Sequence, residues 1–267
     1  MIRKSLQLAL IIFILVIGVV AVALFFYPER VESEIASINP DIKGIYVVDI
    51  DGNVSITRDN SSTLHITVYA RGLLTLLSNI KVSFYTSNDI LYVYVRAPIN
   101  FFQSVNICLE LPTNYFKNVT VNVINGEISL YNISSRFIYL ESDNGLIKLS
   151  STNVSEGYIF TSNGVINLEN SGANFLNAVV RNGEIILNFT KNYPNSTYLL
   201  MVSNGNIKVY TNVPMNIFPT VDNGEIYLNG ERVSSIPGLG TNSSEPVIHA
   251  LVGNGEIQIY YTNSSLS

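Results

Sequence analysis

Cysteine, histidine, tryptophan and charge are all scarce in this sequence. It has one cysteine, two histidines and no tryptophan, and only 13% of its residues are charged. Because Cys108 is the lone cysteine, the chain cannot form an intramolecular disulfide, and we expect this residue to be a small, buried apolar side chain within a strand. The net charge of −5 differs from that of a basic nucleic-acid-binding surface. We therefore expect no cofactor and no nucleic-acid partner.

The motifs that usually carry catalysis are missing as well. The sequence contains no Gly-x-Ser-x-Gly, no phosphate-binding loop and no Cys/His cluster. Ser78-x-x-Lys81 and Ser142-Asp143-Asn144 resemble two motifs of penicillin-binding enzymes, but the third motif, Lys-Thr-Gly, is absent. His65 and His249 alternate with apolar residues in predicted strands and should face outward. We predict no catalytic residues, no metal site and no enzymatic activity.

One long apolar run stands near the N-terminus. Residues 8–27 contain no charged side chain, and a helix of 20 residues at about 1.5 Å per residue spans the ~30 Å hydrocarbon core of a bilayer. Arg3 and Lys4 precede the run and only Arg30 closely follows it, which favours a cytoplasmic N-terminus. We predict a membrane anchor over residues 1–28, in contact with membrane lipid through residues 8–27. A short polar tether over residues 29–42 and an extracellular remainder should follow.

Two other interpretations of this N-terminus remain open. Ala21-Val22-Ala23 offers the small residues of a signal-peptide cleavage site, although apolar residues continue beyond it. Lys4-Ser5-Leu6-Gln7 before a long apolar helix is similar to the leader of archaeal pilin-type proteins, which is cut ahead of the apolar stretch.

The rest of the chain is organised by a repeated phrase, Asn-Gly-x-Ile-x-(Leu/Val/Ile). A fixed period of about 20 residues is typical of a solenoid. The steps between copies are 19, 19, 19, 22, 19 and 31 residues, which places insertions in two turns. The seven copies begin at Asn125, Asn144, Asn163, Asn182, Asn204, Asn223 and Asn254.

The residues around each phrase alternate with the period of a strand. Glycine and asparagine accept the positive φ of a tight corner, and the Ile and Leu that follow lie two residues apart, with mostly polar residues between them. A second alternating strand precedes each corner, which leaves no room for a helix. We predict an all-β, single-stranded and right-handed β-solenoid with ~19-residue coils. An antiparallel sandwich of hairpins is the alternative.

The asparagines at the corners are expected to stack into a structural ladder of side-chain amides. An exposed amide strip that contacts sugars is the alternative interpretation. Glu127, Glu184, Glu225 and Glu256 recur just after the corners, but other copies carry Leu146, Val165 and Asn206 there. A weak Ca²⁺ site on this broken acidic column is conceivable, although solvated carboxylates explain it better.

The repeats also divide the chain. Residues 43–118 are predicted to be an N-terminal β cap or irregular first coils, and Asp51-Gly52-Asn53-Val54 resembles a worn copy of the repeat corner. The β-solenoid repeats should extend over residues 119–260, with a surface loop at 230–245, and residues 261–267 should form a polar tail. The strands expected within the cap are 45–50, 54–57, 64–69, 80–85, 90–95 and 105–111.

Asparagine is abundant, with 32 copies, and nine of them begin an Asn-x-Ser/Thr sequon. No sequon precedes the predicted membrane span, which agrees with an extracellular domain. The candidate N-glycosylation sites are Asn53, Asn60, Asn118, Asn132, Asn153, Asn188, Asn195, Asn242 and Asn263.

The repeated phrase and the segment VNICLELPTNYFKNVTVNVINGEISL, residues 105–130, resemble the putative-adhesin family of single-stranded β-solenoid domains. The resemblance covers about residues 43–260. It implies a surface protein with a binding or structural role, and the family provides no catalytic residues to assign to this sequence. Outward tyrosines, with Tyr92, Tyr94 and Tyr227 as candidates, would contact glycans or envelope proteins. A pilin-like or envelope assembly subunit and a surface polysaccharide-active enzyme are the alternatives.

Overall fold

A computed structural model describes residues 12–19, 29–34, 42–48, 51–58, 64–71, 81–96, 104–112, 115–235 and 244–262. Within these ranges, residues 12–19 are helical, and fifteen strands form one continuous sheet. In chain order the strands are β1 (Glu29–Glu34), β2 (Gly44–Val48), β3 (Val54–Arg58), β4 (His65–Arg71), β5 (Lys81–Ser87), β6 (Ile90–Arg96), β7 (Ser104–Leu111), β8 (Tyr115–Tyr131), β9 (Ser134–Ser150), β10 (Asn153–Glu169), β11 (Gly172–Phe189), β12 (Thr197–Thr211), β13 (Asn216–Leu228), β14 (Glu231–Val233) and β15 (Val247–Tyr261).

The long strands stack in parallel as rungs of a solenoid. Each of them bends at its Asn-Gly pair, which we term the first corner, and this corner divides the rung into a first flank before it and a second flank after it. The second corner joins one rung to the next. Ile147 lies opposite Ile166, and Gly145 opposite Gly164, in the register of β9 and β10. Since these rungs pair in parallel, the solenoid prediction is confirmed and the sandwich of hairpins is wrong.

Alternate residues of both flanks point into a single core. The isoleucine of each repeat is buried completely in six rungs, and that of the terminal rung β13, Ile226, is half-buried. Because each buried aliphatic side chain contributes about 1.5–3 kcal/mol, the column stabilises rungs that could not bury their inner faces alone. The six completely buried members are Ile128, Ile147, Ile166, Ile185, Ile207 and Ile257.

Residues 43–118 extend the same two flanks. The rung formed by β2 and β3 lies on β8 and turns at Asp51 and Gly52, and Asp51 bridges to Asn125. On its far side β6 pairs with β2, and β7 pairs with β3, in parallel. The worn copy of the repeat at Asp51-Gly52 therefore forms a corner of the solenoid. The six strands expected in this region overlap with β2 to β7. The earliest rung of the solenoid lies inside the stack.

The C-terminal rung also lies inside the stack. Strand β15 pairs with β12 on one side and with β13 on the other, all in parallel, so the order in space is β12, β15, β13. The long step of 31 residues indicated an insertion before the last repeat, but not that the last repeat would return between two earlier ones. Residues 236–243 of that insertion lie outside the described residues.

Antiparallel strands flank the stack at both ends. Strand β5 forms a hairpin with β6 through Asn88-Asp89, and β14 forms one with β13 through Asn229-Gly230. All four turn residues have positive φ between 51° and 86°, as in the two-residue turns that match the twist of a hairpin. Strand β1 pairs antiparallel with β4, so residues 29–34, expected within a polar tether, form an edge strand instead.

The predicted membrane span is described only in its middle. Residues 12–19 form a helix, and the rest of the span over residues 8–27 lies outside the described residues. Of the helical residues that the structure describes, none belongs to a helix long and apolar enough to cross a bilayer. In the predicted polar tail, Tyr261 ends β15, and residues 263–267 lie outside the described range.

Tyr198 is the largest completely buried side chain among the residues that the structure describes, and it makes stability sensitive to alkali. Burial raises the pKa of Tyr198 to about 12 from a usual value of 10. The unfolded chain therefore loses this proton first, and the associated stability is complete below pH 10 and disappears as pH rises towards 12. The difference is about 3 kcal/mol.

We expect Tyr198→Phe to lose less stability than the wild type when denaturant midpoints are compared at pH 9 and pH 11.5. At pH 9 the free energy of unfolding of the variant should be about 1 kcal/mol lower than that of the wild type. The reason is that the Ala173 N–H, which donates to the Tyr198 hydroxyl at 3.2 Å, loses its acceptor. Equal alkaline losses in both proteins would contradict this account.

Candidate functional site

The corner asparagines lie in one column, and their side chains form a continuous chain of hydrogen bonds. In each case the Nδ2 amide donates to the Oδ1 of the next asparagine in space, and Asn125 at the end donates to Asp51. The distances are 2.8 Å for Asn144 to Asn125, 2.9 Å for Asn163 to Asn144, 2.9 Å for Asn182 to Asn163, 3.0 Å for Asn204 to Asn182, 2.9 Å for Asn254 to Asn204 and 3.1 Å for Asn223 to Asn254. Since these amides bond to each other along the column, the geometry favours a structural role over sugar contact.

Asn163→Ala is expected to lower the free energy of unfolding by about 1–2 kcal/mol, because Asn163 is both a donor and an acceptor in the ladder. Asn163→Ala/Asn182→Ala should cost less than the two single changes together, since the two residues share a bond. Urea unfolding measures both effects. Asn174→Ala, which changes an exposed asparagine outside the ladder, is the control, and a midpoint of Asn163→Ala equal to that of the control would rule out a stabilising ladder.

Most of the described sequons lie along the second corner, which is the edge of the solenoid opposite the asparagine ladder. The side chains of all six are exposed, and Asn53 alone lies at the first corner, where its Oδ1 accepts from the Glu127 N–H at 2.8 Å. Asn60, Asn242 and Asn263 lie outside the described residues. The sequons at or beside the second corner are Asn118, Asn132, Asn153, Asn188 and Asn195. Glycans on these five would line one edge and leave the central columns of both flanks open.

The candidates for chemistry lie apart from each other. His249 is exposed and its ring stacks on Phe218 at 5.2 Å, and His65 is in β4 at the other end of the stack. Cys108 lies in β7 and is half-buried, not fully buried as expected. Partial burial, and then the charge of Glu110, raises the pKa of the Cys108 thiol, which lowers its reactivity. Within the described residues no group of three or more His, Cys, Asp or Glu side chains is arranged to hold a metal ion.

The acidic column is broken in the structure as in the sequence. Glu256 lies opposite Glu225 and Asn206, whereas Leu146 and Val165 separate Glu127 from Glu184. Glu225 accepts from Tyr227 and pairs with Arg232 at 2.8 Å. Glu225 and Glu256 are the only two of these four glutamates on adjacent rungs, and the carboxylate of Glu225 already has these two partners.

The outer face of the first flank is aromatic and aliphatic. Six rungs form this face, in the spatial order β9, β10, β11, β12, β15 and β13. Each rung presents three outward positions, and the register aligns these positions into three columns. Phe218 is 54% exposed, and most of the other apolar side chains there are half-exposed. The outward apolar and aromatic residues are Phe137, Tyr139, Tyr158, Phe160, Phe175, Val179, Leu199, Met201, Val247, Leu251 and Phe218. This surface exceeds the scattered apolar exposure of an ordinary protein surface.

A cluster of four tyrosines, the tyrosine quartet, continues this face at the N-terminal end of the stack. Tyr85, Tyr92 and Tyr94 have nearly parallel rings with centroids 5.0–6.2 Å apart, and Tyr46 packs against Tyr92 and Tyr94 at 5.6 Å and 5.9 Å. The hydrogen bond with Tyr85 raises the pKa of Tyr94. Tyr85 is 50% exposed and Tyr94 is 36% exposed, so their hydroxyl groups and ring edges are available to a ligand.

The second flank has a polar outer face instead. Lys208 pairs with Glu184 at 2.7 Å, and this hydrogen bond raises the pKa of the lysine. Gln258 donates to Glu256 at 2.7 Å and accepts from Tyr260. The pair Tyr210 and Tyr260, stacked at 4.8 Å, is the main aromatic feature described on this side. The two flanks therefore offer different surfaces to a partner.

Only part of the tyrosine quartet was predictable from the sequence. Tyr92 and Tyr94 lie together as outward residues, but Tyr227 is half-buried on the second flank at the other end and bonds to Glu225. Tyr46 and Tyr85 were not predicted, because they reach the quartet from other strands. The apolar outer columns were not predicted either, although the outward positions of each copy, such as Leu199 and Met201, show them once the copies are aligned.

Comparison with protein families identifies one match. The model of the family described as Toastrack DUF4097 matches residues 42–232, which include β2 to β13 and the first six of the seven repeat corners. No curated protein matches this chain.

Three of the solved structures that resemble this chain are bacterial proteins. A putative adhesin from Bacteroides fragilis is 15% identical, with 88% of this chain and 97% of that chain covered and a TM-score of 0.46. A putative cell adhesion protein from Clostridium sporogenes is 14% identical, with 88% and 100% covered and a TM-score of 0.37. A putative lipid binding protein from Parabacteroides distasonis is 10% identical, with 88% and 96% covered and a TM-score of 0.46.

Proposed function

The chain belongs to the Toastrack DUF4097 family, and we propose that it is a membrane-anchored, extracellular β-solenoid that binds glycans at the cell surface. The tyrosine quartet is the observation that supports this function. Tyrosine combines a large, rigid apolar ring with a hydroxyl that donates and accepts hydrogen bonds, which suits the alternating C–H and O–H surface of a sugar. Four such rings within 5.0–6.2 Å provide an aromatic anchor of the kind that supplies most of the energy in binding sites.

The test is retention of the full chain, in detergent, on a glycan array. The variant Tyr85→Ala/Tyr94→Ala removes the two most exposed rings of the quartet, and we expect it to lose about tenfold or more of the retention. The control is Tyr210→Ala/Tyr260→Ala, which removes a stacked pair of equal chemistry from the second flank. Equal retention of both variants, or no retention of the wild type on any glycan, would overturn this assignment.

The location of the protein is part of the same proposal. The uncharged run over residues 8–27 anchors the chain, the N-terminus faces the cytoplasm, and the sequon-bearing edge carries glycans outside. Mass spectrometry of the mature N-terminus distinguishes the three interpretations of this segment: an intact Met1 supports the anchor, cleavage after the apolar run indicates a secreted protein, and cleavage near Gln7 indicates a pilin-like subunit.

Two other functions remain to be compared with glycan binding. An envelope or fibre subunit is the first, and a cleaved pilin-type leader together with assembly into filaments would support it. A surface polysaccharide-active enzyme is the second, and it would release soluble sugars from the glycans that the wild type retains. We expect retention without turnover.

A further inference from the structure

We propose that the outer face of the first flank pairs with the same face of a second copy, which makes the protein a two-fold homodimer. The contact is the apolar patch, formed by Phe160, Val179, Leu199, Met201, Leu251 and Phe218. These residues lie on five consecutive rungs in space, β10, β11, β12, β15 and β13. This inference does not depend on glycan binding, because none of these residues belongs to the tyrosine quartet.

The size of the face lies near the lower limit for a protein partner. Six rungs about 4.8 Å apart span about 29 Å. Along each strand, the five residues from the first column to the third, both included, occupy about 16 Å. The flat area is therefore about 460 Å² per copy, or about 900 Å² for two copies, and the relief of the side chains adds to it. That total approaches the ~1,000 Å² at which specific interfaces begin, with sheets packed about 10 Å apart.

The charges of the face favour this partner over a lipid surface or a polyanion. Among the three outward positions on each of the six rungs, all of which are described, none is lysine or arginine. Glu141 and Glu156 are the acidic residues there, and each accepts a hydrogen bond at 2.9 Å from a neighbouring tyrosine, Tyr139 and Tyr158. Three columns without lysine or arginine lack the attraction to anionic lipid headgroups that amphipathic membrane-binding surfaces use. Aliphatic residues such as Val179, Leu199 and Met201 also offer no hydrogen bonds to sugars.

The order of the rungs selects one arrangement of the two copies. A two-fold axis parallel to the strands, between β11 and β12, places each rung opposite a different rung of the partner and keeps the three columns aligned. Met201 then faces Val179 of the other copy, and Leu251 faces Phe160. Phe218 faces Tyr139 in the same way. These three pairs bring apolar residues together across the interface, as in the core of a β-sandwich, whereas Leu199 faces the polar Asn177 of the other copy.

The same axis separates the two glutamates from their copies. Glu156 on β10 meets the rung of Val247 on β15, and Glu141 on β9 meets the rung of Thr220 on β13. It also places Asn177 of each copy beside the axis. The Oδ1 of Asn177 is buried and has no hydrogen-bond partner among the described residues, and a turn of the amide would let the two Asn177 side chains bond to each other.

The tyrosine quartet remains free in this arrangement. The patch is centred on β11 and β12, whereas the quartet lies on β2, β5 and β6 beyond β8. The partner's stack ends with β13 before it reaches that position. The dimer therefore carries two quartets at its opposite ends.

The decisive experiment measures self-association of the full chain in detergent by light scattering with subtraction of the detergent mass. We expect the wild type to be a dimer and Met201→Glu/Leu251→Glu to associate about tenfold or more weakly, since each interface would then bury unpaired carboxylates. Ile186→Glu is the matched control, because Ile186 is an apolar outward residue of β11 on the second flank. It should stay dimeric. Circular dichroism melting shows that all three proteins are folded.

Cross-linking tests the register of the two copies. In a Cys108→Ser background, Met201→Cys should be joined to its copy by a short bismaleimide, and Tyr94→Cys should not be. Four results would overturn the proposal: a monomeric wild type, a dimer that survives Met201→Glu/Leu251→Glu, cross-linking through position 94 instead of 201, and binding of the monomer to neutral lipid vesicles through the patch.

Discussion

Gly183→Ala is expected to lower the free energy of unfolding by about 3 kcal/mol or more, which is the range of the most damaging single changes. Gly183 has a φ of +143°, a conformation that residues with a Cβ rarely adopt. A Cβ at this position would also lie 1.9 Å from the carbonyl oxygen of Gly164 on the neighbouring rung. That oxygen belongs to the backbone of a packed stack, so it cannot move aside without displacing a rung.

Gly230→Ala separates the two causes of this loss. Gly230 also has positive φ, +86°, but nothing lies within 4 Å of a Cβ added there. We expect it to cost only about 1 kcal/mol, the penalty of the left-handed conformation alone. Denaturant unfolding of both variants gives the comparison. Equal losses would mean that the corners are not in the close backbone contact described above.

Ile166→Asp should unfold the domain at room temperature or reduce its stability by about 4 kcal/mol or more. Ile166 is completely buried, with Ile147 and Ile185 opposite it on the adjacent rungs. A carboxylate at this point has no partner in an aliphatic column, and an unpaired charge in such surroundings is among the most costly substitutions.

Asn167→Asp is the control for this prediction, because it introduces the same carboxylate one residue later on the outer side of the same strand. Asn167 is partly exposed and faces solvent beside Lys148. We expect a change within about 0.5 kcal/mol. If the two variants had similar midpoints in urea, the assignment of inner and outer faces would be wrong.

The repeat made the stack predictable because one short phrase fixes both the corner and the alternation after it. Positive φ requires Gly at the corner, and Ile two residues later defines the inner face, so seven aligned copies specify the register of every regular rung. The order of the rungs was not predictable in this way. β15 carries the same phrase as β13, and only tertiary contacts decide that β15 pairs with β12.

The candidate site was less accessible to sequence reasoning for a related reason. Tyr85 and Tyr92 are near each other in the chain, but Tyr46 precedes Tyr92 by 46 residues, and it reaches the quartet because β2 pairs with β6. The apolar patch combines outward residues from separate rungs, each of which is unremarkable within its own strand. Handedness of the solenoid, the membrane span and the glycosylation of individual sequons stay predictions.

Methyl–methyl nuclear Overhauser effects between isoleucines test the stacking and its order together. The structure places Ile257 between Ile207 and Ile226, with rungs about 4.8 Å apart. We predict cross-peaks for Ile147 with Ile166, for Ile207 with Ile257 and for Ile257 with Ile226, and none for Ile207 with Ile226. A cross-peak between Ile207 and Ile226 without one between Ile207 and Ile257 would contradict the order of the rungs, and the absence of one between Ile147 and Ile166 would contradict the solenoid itself.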